Sequence, residues 1–256
     1  MNIIVFDTET TGLVDADLIE LACVYRKDVD TGKECEQVSN VTFRMKPSSK
    51  ILPASTVVHG ITPDIASEFE DPAIVLKQVL SFFREFSKPT VFVAHNILYD
   101  NDIMNSAFMK YENIGFDPKM SIDTLRFAKK MIPQDEIGGY KLDAVFYYLF
   151  PKSLSWLFKN RSEHDALTDC KITYKILMEL KSALNAKMDK EMTWEDVIDY
   201  VNAPIDMSND LWAFGKHKGV LIKDTPSGYV NWCLSSEFGS DPKNADIVYS
   251  LKKARD

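Results

Sequence analysis

Apolar residues come in short runs early in this chain and in helical stripes later. Asn2 to Phe6 is an apolar, β-branched run that ends at Asp7, the pattern of a buried strand. Leu18 to Tyr25 and Val38 to Met45 predict two more strands, and the turn-rich Asp28 to Lys33 between them predicts a hairpin. Residues 47–64, with Pro47, Pro53, Gly60 and Pro63, read as a loop with a short helix. Pro72 opens a helix, and Val75, Val79, Leu80, Phe82, Phe83 and Phe86 form its apolar face. Thr90 to Ala94 is a short buried strand. Helices follow over about 98–111, from Asp123 to Met131 and from Leu142 to Phe150. A long helix is predicted from about Glu163 to Leu184, with Ala166, Cys170, Thr173, Ile176, Leu177 and Leu180 on one buried stripe.

This order predicts an α/β fold, a mixed sheet flanked by helices. Composition turns polar from Asn185, so the expected layout is a main domain over 1–184, a linker over 185–205 and a small α/β or helical unit over 206–256. A chain of 256 residues can bury one good-sized core with such an appendage.

Bulk properties remove several classes. No apolar run approaches the roughly 20 residues of a membrane span, and the start lacks the cationic segment of a signal peptide, so a cytoplasmic chain without membrane contact is expected. Cys23, Cys35, Cys170 and Cys233 show neither CxxC pairs nor zinc-ligand spacing and read as reduced, mostly buried thiols. The net charge of −8 opposes polyanion binding unless acids hold cations that reverse the local field.

Three polar clusters stand at element ends. Asp7 and Glu9, two apart at the end of the first strand, point to the same face; a solvated strand end would read the same way. Asp100 falls in the first turn of a helix after His95 and Asn96, where acids also serve as caps. Asp169 lies beside Cys170 on the apolar side of the long helix, where an acid is costly unless paired or metal-bound. One shared site for hard cations such as Mg²⁺ or Mn²⁺, which prefer carboxylate oxygens, accounts for all three.

Phe6-Asp7-Thr8-Glu9-Thr10-Thr11-Gly12-Leu13 resembles the first motif of the DnaQ-like exonucleases. His95 to Asp100 resembles the second, with Tyr99 where phenylalanine is usual, and His164 to Asp169 resembles the third in its histidine form. Val58 to Thr62 and Ile122 to Leu125 agree. The resemblance covers about residues 1–184. It implies a ribonuclease H-like sheet and a 3′→5′ exonuclease that releases nucleoside 5′-monophosphates. It also implies two divalent cations, Mg²⁺ or Mn²⁺, held by Asp7, Glu9, Asp100 and Asp169, with His164 as the general base. Thr10, Thr11 and Gly12 would meet the terminal nucleotide. Leu13 would pack on its base, or else in the core. His95 and Asn96 would orient the scissile strand or Asp100, or else serve as a hydrogen-bonded strand end. His59 reads as structural and Asp123 as a helix cap.

Near the C-terminus, Phe214-Gly215-Lys216-His217-Lys218-Gly219 resembles the tail of the exodeoxyribonuclease X group, which tilts the expected substrate towards DNA. Lys216 and Lys218 are candidate phosphate contacts, while Trp212, Phe214, Tyr229 and Trp232 would pack around a glycine turn or stack bases. Arg126 and Arg161 flank motifs and are further phosphate candidates. An RNA-trimming nuclease and a proofreading module bound to a polymerase are the alternatives.

Overall fold

The computed structural model describes every residue except 30–37, 154, 156–164 and 256. The described chain divides into two compact units, Met1–Val201 and Asn202–Asp256.

The first unit is built on five strands: β1 (Asn2–Thr10), β2 (Leu18–Arg26), β3 (Ser39–Arg44), β4 (Thr90–Ala94) and β5 (Ser121–Asp123). Their order across the sheet is β3-β2-β1-β4-β5. The first three pair antiparallel, while β4 and β5 join parallel to β1. The expectations for β2, β3 and β4 hold to within a residue or so, while β1 runs past the expected Phe6 to Thr10 and so takes in both acids; the turn of the β2–β3 hairpin and Cys35 lie outside the described residues. The three-residue β5 was not foreseen. Its only apolar interior position is Ile122, too little for a periodic signal.

Alternation along β1 separates the two cores. Ile3 and Val5 face one layer; Ile4 and Phe6 face the other. The Ile4 side is covered by α3 (Pro72–Arg84) and α4 (Ile97–Glu112), after two short helices, α1 (Pro53–His59) and α2 (Pro63–Ser67). Asp71 starts α3 by accepting a hydrogen bond from the Ala73 N–H at 2.9 Å, and Pro72 occupies the first turn. The Ile3 side is covered by α5 (Thr124–Met131), α7 (Leu142–Leu149) and α8 (Ala166–Met188), with the short α6 (Gln134–Ile137) between. All six apolar-stripe positions expected on α8 are buried.

The linker expected over 185–205 needs correction. Its first residues end α8, and Trp194–Asn202 forms α9, with Trp194, Val197 and Val201 buried in the main core. Arg126 and Lys130 on α5 donate to the Val201 and Tyr200 carbonyls. The helical spacing of 194, 197 and 201 was the readable signal, masked by the acids between them.

The second unit is helical: α10 (Ser227–Ser235), α11 (Glu237–Ser240) and α12 (Ala245–Lys253). Its strand content among the described residues is the bridge between Leu211 and Leu221. No described helix is long and apolar enough to cross a membrane.

Candidate active site

The pleat carries Asp7 and Glu9 onto the face of Ile3 and Val5, the face that α8 packs against. Asp7 pairs with Ala22 on β2, and Glu9 with Glu20. Cys170 on α8 donates its thiol to the Ala22 carbonyl at 3.3 Å, which anchors the neighbouring Asp169 over this part of the sheet. Asp165 caps α8 by accepting from the Leu167 N–H, and it also accepts from the Thr168 hydroxyl. Asp169, buried, thus sits in the helix's first turn.

Asp100 arrives from the opposite layer. It is buried in the first turn of α4, and its Oδ1 accepts both the N–H (3.1 Å) and the hydroxyl (2.7 Å) of Thr8. Thr8 is the residue between the two acids of β1, so a single strand end reaches acids on both layers. The entry to α4 is made by Asn96, in the left-handed region with φ of 74°, whose N–H donates to Asp123 at 2.9 Å. Asp123 also caps α5 through the Leu125 N–H, as expected.

Electrostatics records how close the acids come. Burial, and after it the negative charges of Asp169, Glu20, Asp100 and Asp165, together push the Glu9 carboxyl up to about 8. Burial likewise raises Asp100 to about 7, against the hydrogen bonds from Thr8. Glu20 is raised by burial too, although Arg44 donates to it at 2.5 Å. Crowded anions of this kind are comfortable only beside positive charge, and an all-oxygen donor set suits a hard divalent cation. Among the described residues, no three His, Cys, Asp or Glu side chains already form a group that could hold a metal ion. The backbone gathers the acids without presenting a finished cage. His164, like Arg161, lies outside the described residues.

Beside Glu9 opens a cleft of about 300 Å³, lined by Thr8, Glu9, Thr10, Gly12, Leu13, Ala54, Ser55, Val58, His59 and Tyr99. Leu13 is 83% exposed on its rim, which excludes a core role. The family model for exonucleases (RNase_T) matches residues 4–177 and so takes in every one of these acids and the cleft. The chain belongs to this exonuclease family.

The chain is 35% identical over 143 residues to the PolC-type DNA polymerase III of Streptococcus pneumoniae serotype 2 (strain D39 / NCTC 7466). It is 32% identical over 144 residues to that of Staphylococcus haemolyticus (strain JCSC1435). These matches take in 53% and 55% of this chain but 9% of each polymerase, so the relation is one of domains. Among solved structures, exonuclease X in complex with 5′ overhanging duplex DNA matches with a TM-score of 0.50 and 22% identity, over 78% of this chain and 99% of that one. E. coli exonuclease I in complex with a dT13 oligonucleotide matches with a TM-score of 0.56 and 18% identity, over 73% and 42%. At such identities the likeness is one of fold, and it agrees with the ribonuclease H-like sheet expected from the motifs.

Other residues of the site are fixed by the chain's own framework. The Thr10 hydroxyl bonds the Gly12 carbonyl (2.7 Å) and the Tyr99 hydroxyl (3.0 Å). The buried Thr11 hydroxyl accepts from the Asp17 N–H and meets Ser49, so Thr11 shapes the loop rather than facing the cleft. A Cβ on Gly12 would come within 3.0 Å of the Leu52 side chain, so glycine lets this turn lie close to α1. Both ring nitrogens of His95 are engaged, by Thr124 and by the Tyr140 carbonyl, and burial lowers its pKa; His95 thus braces the end of β4. Arg126 is committed to α9. His59 lines the cleft although its Nδ1 accepts from the Ile61 N–H, and burial lowers its pKa.

Sequence reasoning missed Glu20, Ala54, Ser55, Val58 and the cleft position of Tyr99. For Glu20 a signal existed, an acid inside the apolar run Leu18 to Ala22. Val58 and Tyr99 stand in segments that resemble the family's, but nothing local shows that they meet Ala54 and Ser55 around one opening.

Proposed function

We propose that this exonuclease removes nucleotides from the 3′ end of DNA and releases nucleoside 5′-monophosphates. The observation that carries this reading is the gathering of Glu9, Asp100 and Asp169, all buried, at one strand end beside an open cleft. In this reading Asp7, Glu9, Asp100 and Asp169 hold two divalent cations, Mg²⁺ or Mn²⁺. When bound, such cations supply water activation near neutral pH and neutralise charge on the phosphate. His164 takes the proton from the attacking water, a task suited to an imidazole with a pKa of about 6.5. Thr10 and Gly12 position the terminal sugar, and Leu13 packs against the terminal base. Tyr99, fixed by Thr10 and Gly12, keeps the floor of the cleft rigid. DNA is favoured over RNA because the PolC-type relatives are DNA polymerases by name and the exonuclease X and exonuclease I structures contain DNA.

The test is digestion of 3′- and 5′-labelled DNA and RNA, single- and double-stranded, with Mg²⁺, Mn²⁺ or a chelator. Shortening from the 3′ end of DNA that stops with chelator is the expected result. No shortening with either cation overturns the reading, and faster attack on RNA moves the substrate to the RNA-trimming alternative. A polymerase-bound proofreading role is a second reading, favoured by the PolC-type matches; it requires stable co-elution with a replicative polymerase.

A further inference from the structure

The second unit, Asn202–Asp256, has a small core of its own: Trp212, Ile222, Val230, Cys233 and Leu251 are buried. Trp212 completes it with a hydrogen bond from its indole N–H to the Thr225 hydroxyl at 2.8 Å. The remaining aromatics exceed what that core needs. Trp232 is 52% and Phe214 49% exposed. The Tyr229 and Trp232 rings stack at 5.2 Å with 25° between their planes, and the His217 ring lies 4.4 Å from that of Tyr229. Phe238 bridges Phe214 and Trp232. Phe214 and Trp232 are the exposed members of this ring cluster, while Tyr229 and Phe238 are half-buried against the core.

The cations beside the cluster are uncommitted. Lys216 and Lys218 flank His217 in a turn whose glycines, Gly215 and Gly219, have φ of 73° and 84°. Both lysines are exposed and neither is ion-paired among the described residues, whereas Lys223 is tied to Asn209 and Lys253 to Asp206. Residues 202–256 carry seven acidic and seven basic groups, which leaves the chain's whole −8 on residues 1–201. A polyanion therefore meets no net repulsion from this unit.

We propose that the second unit is a binding site for single-stranded nucleic acid. Bases stack on Trp232 and Phe214, and backbone phosphates pair with Lys216 and Lys218. Stacking tolerates any base, and phosphate contact carries no sequence information, so the site is sequence-independent. It deepens the nucleic-acid reading above by assigning a second contact region that takes unpaired strands.

The experiment uses the full chain, a fluorescein-labelled dT oligonucleotide and EDTA, so that no hydrolysis intervenes. Trp232→Ala and Phe214→Ala are each expected to weaken binding roughly 5- to 100-fold, with Trp232→Phe close to parent. Lys216→Ala with Lys218→Ala should lower the slope of log affinity against log salt by about 1.4, about 0.7 for each lost phosphate contact. On the unsubstituted chain, 4-thiothymidine oligonucleotides should cross-link within residues 214–238. Parent affinity in the alanine variants together with no cross-links there overturns the proposal and leaves the aromatic cluster to a protein partner. Hydrolysis of the p-nitrophenyl ester of thymidine 5′-phosphate by the parent chain with Mg²⁺ reports on the carboxylates separately. Its absence would count against the nuclease reading and leave a measured oligonucleotide affinity standing.

Discussion

The carboxylate of Asp100 accepts both the backbone N–H and the hydroxyl of Thr8 through one oxygen. Thr8 stands between Asp7 and Glu9, so the strand that carries two of the acids also aims a third. Thr8→Ala removes the 2.7 Å hydroxyl bond and keeps the 3.1 Å amide bond. A buried hydrogen bond to a charged group is worth about 1.5–3 kcal/mol, and a loss near the lower figure is expected because the amide remains. Urea titration should show it, Thr8→Ser should restore most of it, and turnover should fall with Thr8→Ala. A Thr8→Ala chain with parent stability and parent turnover would show that Asp100 needs no such aim.

Asp169→Ala is expected to abolish exonuclease activity while leaving the fold intact, because the residue borders Cys170 without replacing its packing. His164→Ala should lower turnover by roughly 10²–10⁴-fold as a lost general base, with cation binding largely retained in calorimetry. Equal loss of cation affinity would make His164 a ligand. Near-parent digestion of a labelled oligonucleotide by Asp169→Ala would remove Asp169 from the site.

Protonation should couple to stability through Glu9. Its carboxyl rises from 4.5 to about 8 in the fold, so between those values the native state holds a proton that the unfolded chain has released. Raising pH through that window lowers the stability of the cation-free chain. Glu9→Gln removes the part of this slope that Glu9 contributes and leaves that of Asp100. Thermal melts in EDTA at pH 5 and pH 8.5 should show a larger loss for the parent than for Glu9→Gln. Parallel changes in the two chains would mean that Glu9 ionises normally.

Leu13 separates a surface role from a packing role. At 83% exposure, Leu13→Ala should change stability by no more than about 0.5 kcal/mol, while KM for DNA rises several-fold. A clear drop in Tm with unchanged KM would place Leu13 in the fold's support rather than at the substrate.

Much of this arrangement was legible in the sequence. Strands of five or more residues and helices with an apolar stripe announce themselves by period, and the acids were conspicuous because each interrupts or ends such a run. Asp169 is the clearest case, an acid beside Cys170 on a buried stripe. What stayed hidden depends on contacts distant in sequence. Nothing near Thr8 announces Asp100, 92 residues away, and nothing near Leu13 announces Val58 or Tyr99 across the cleft. Helix α9 was hidden by its polar face, and β5 by its brevity.

The alternation of β1 also constrains its length. Neighbouring residues on this strand belong to opposite layers, so inserting one residue between Phe6 and Asp7 would turn both carboxylates away from α8 and towards α3 and α4. The pairing with β2 that sets which side chains become core also sets which acids reach α8. A change in the length of this strand therefore keeps the acids facing α8 only when it comes in steps of two.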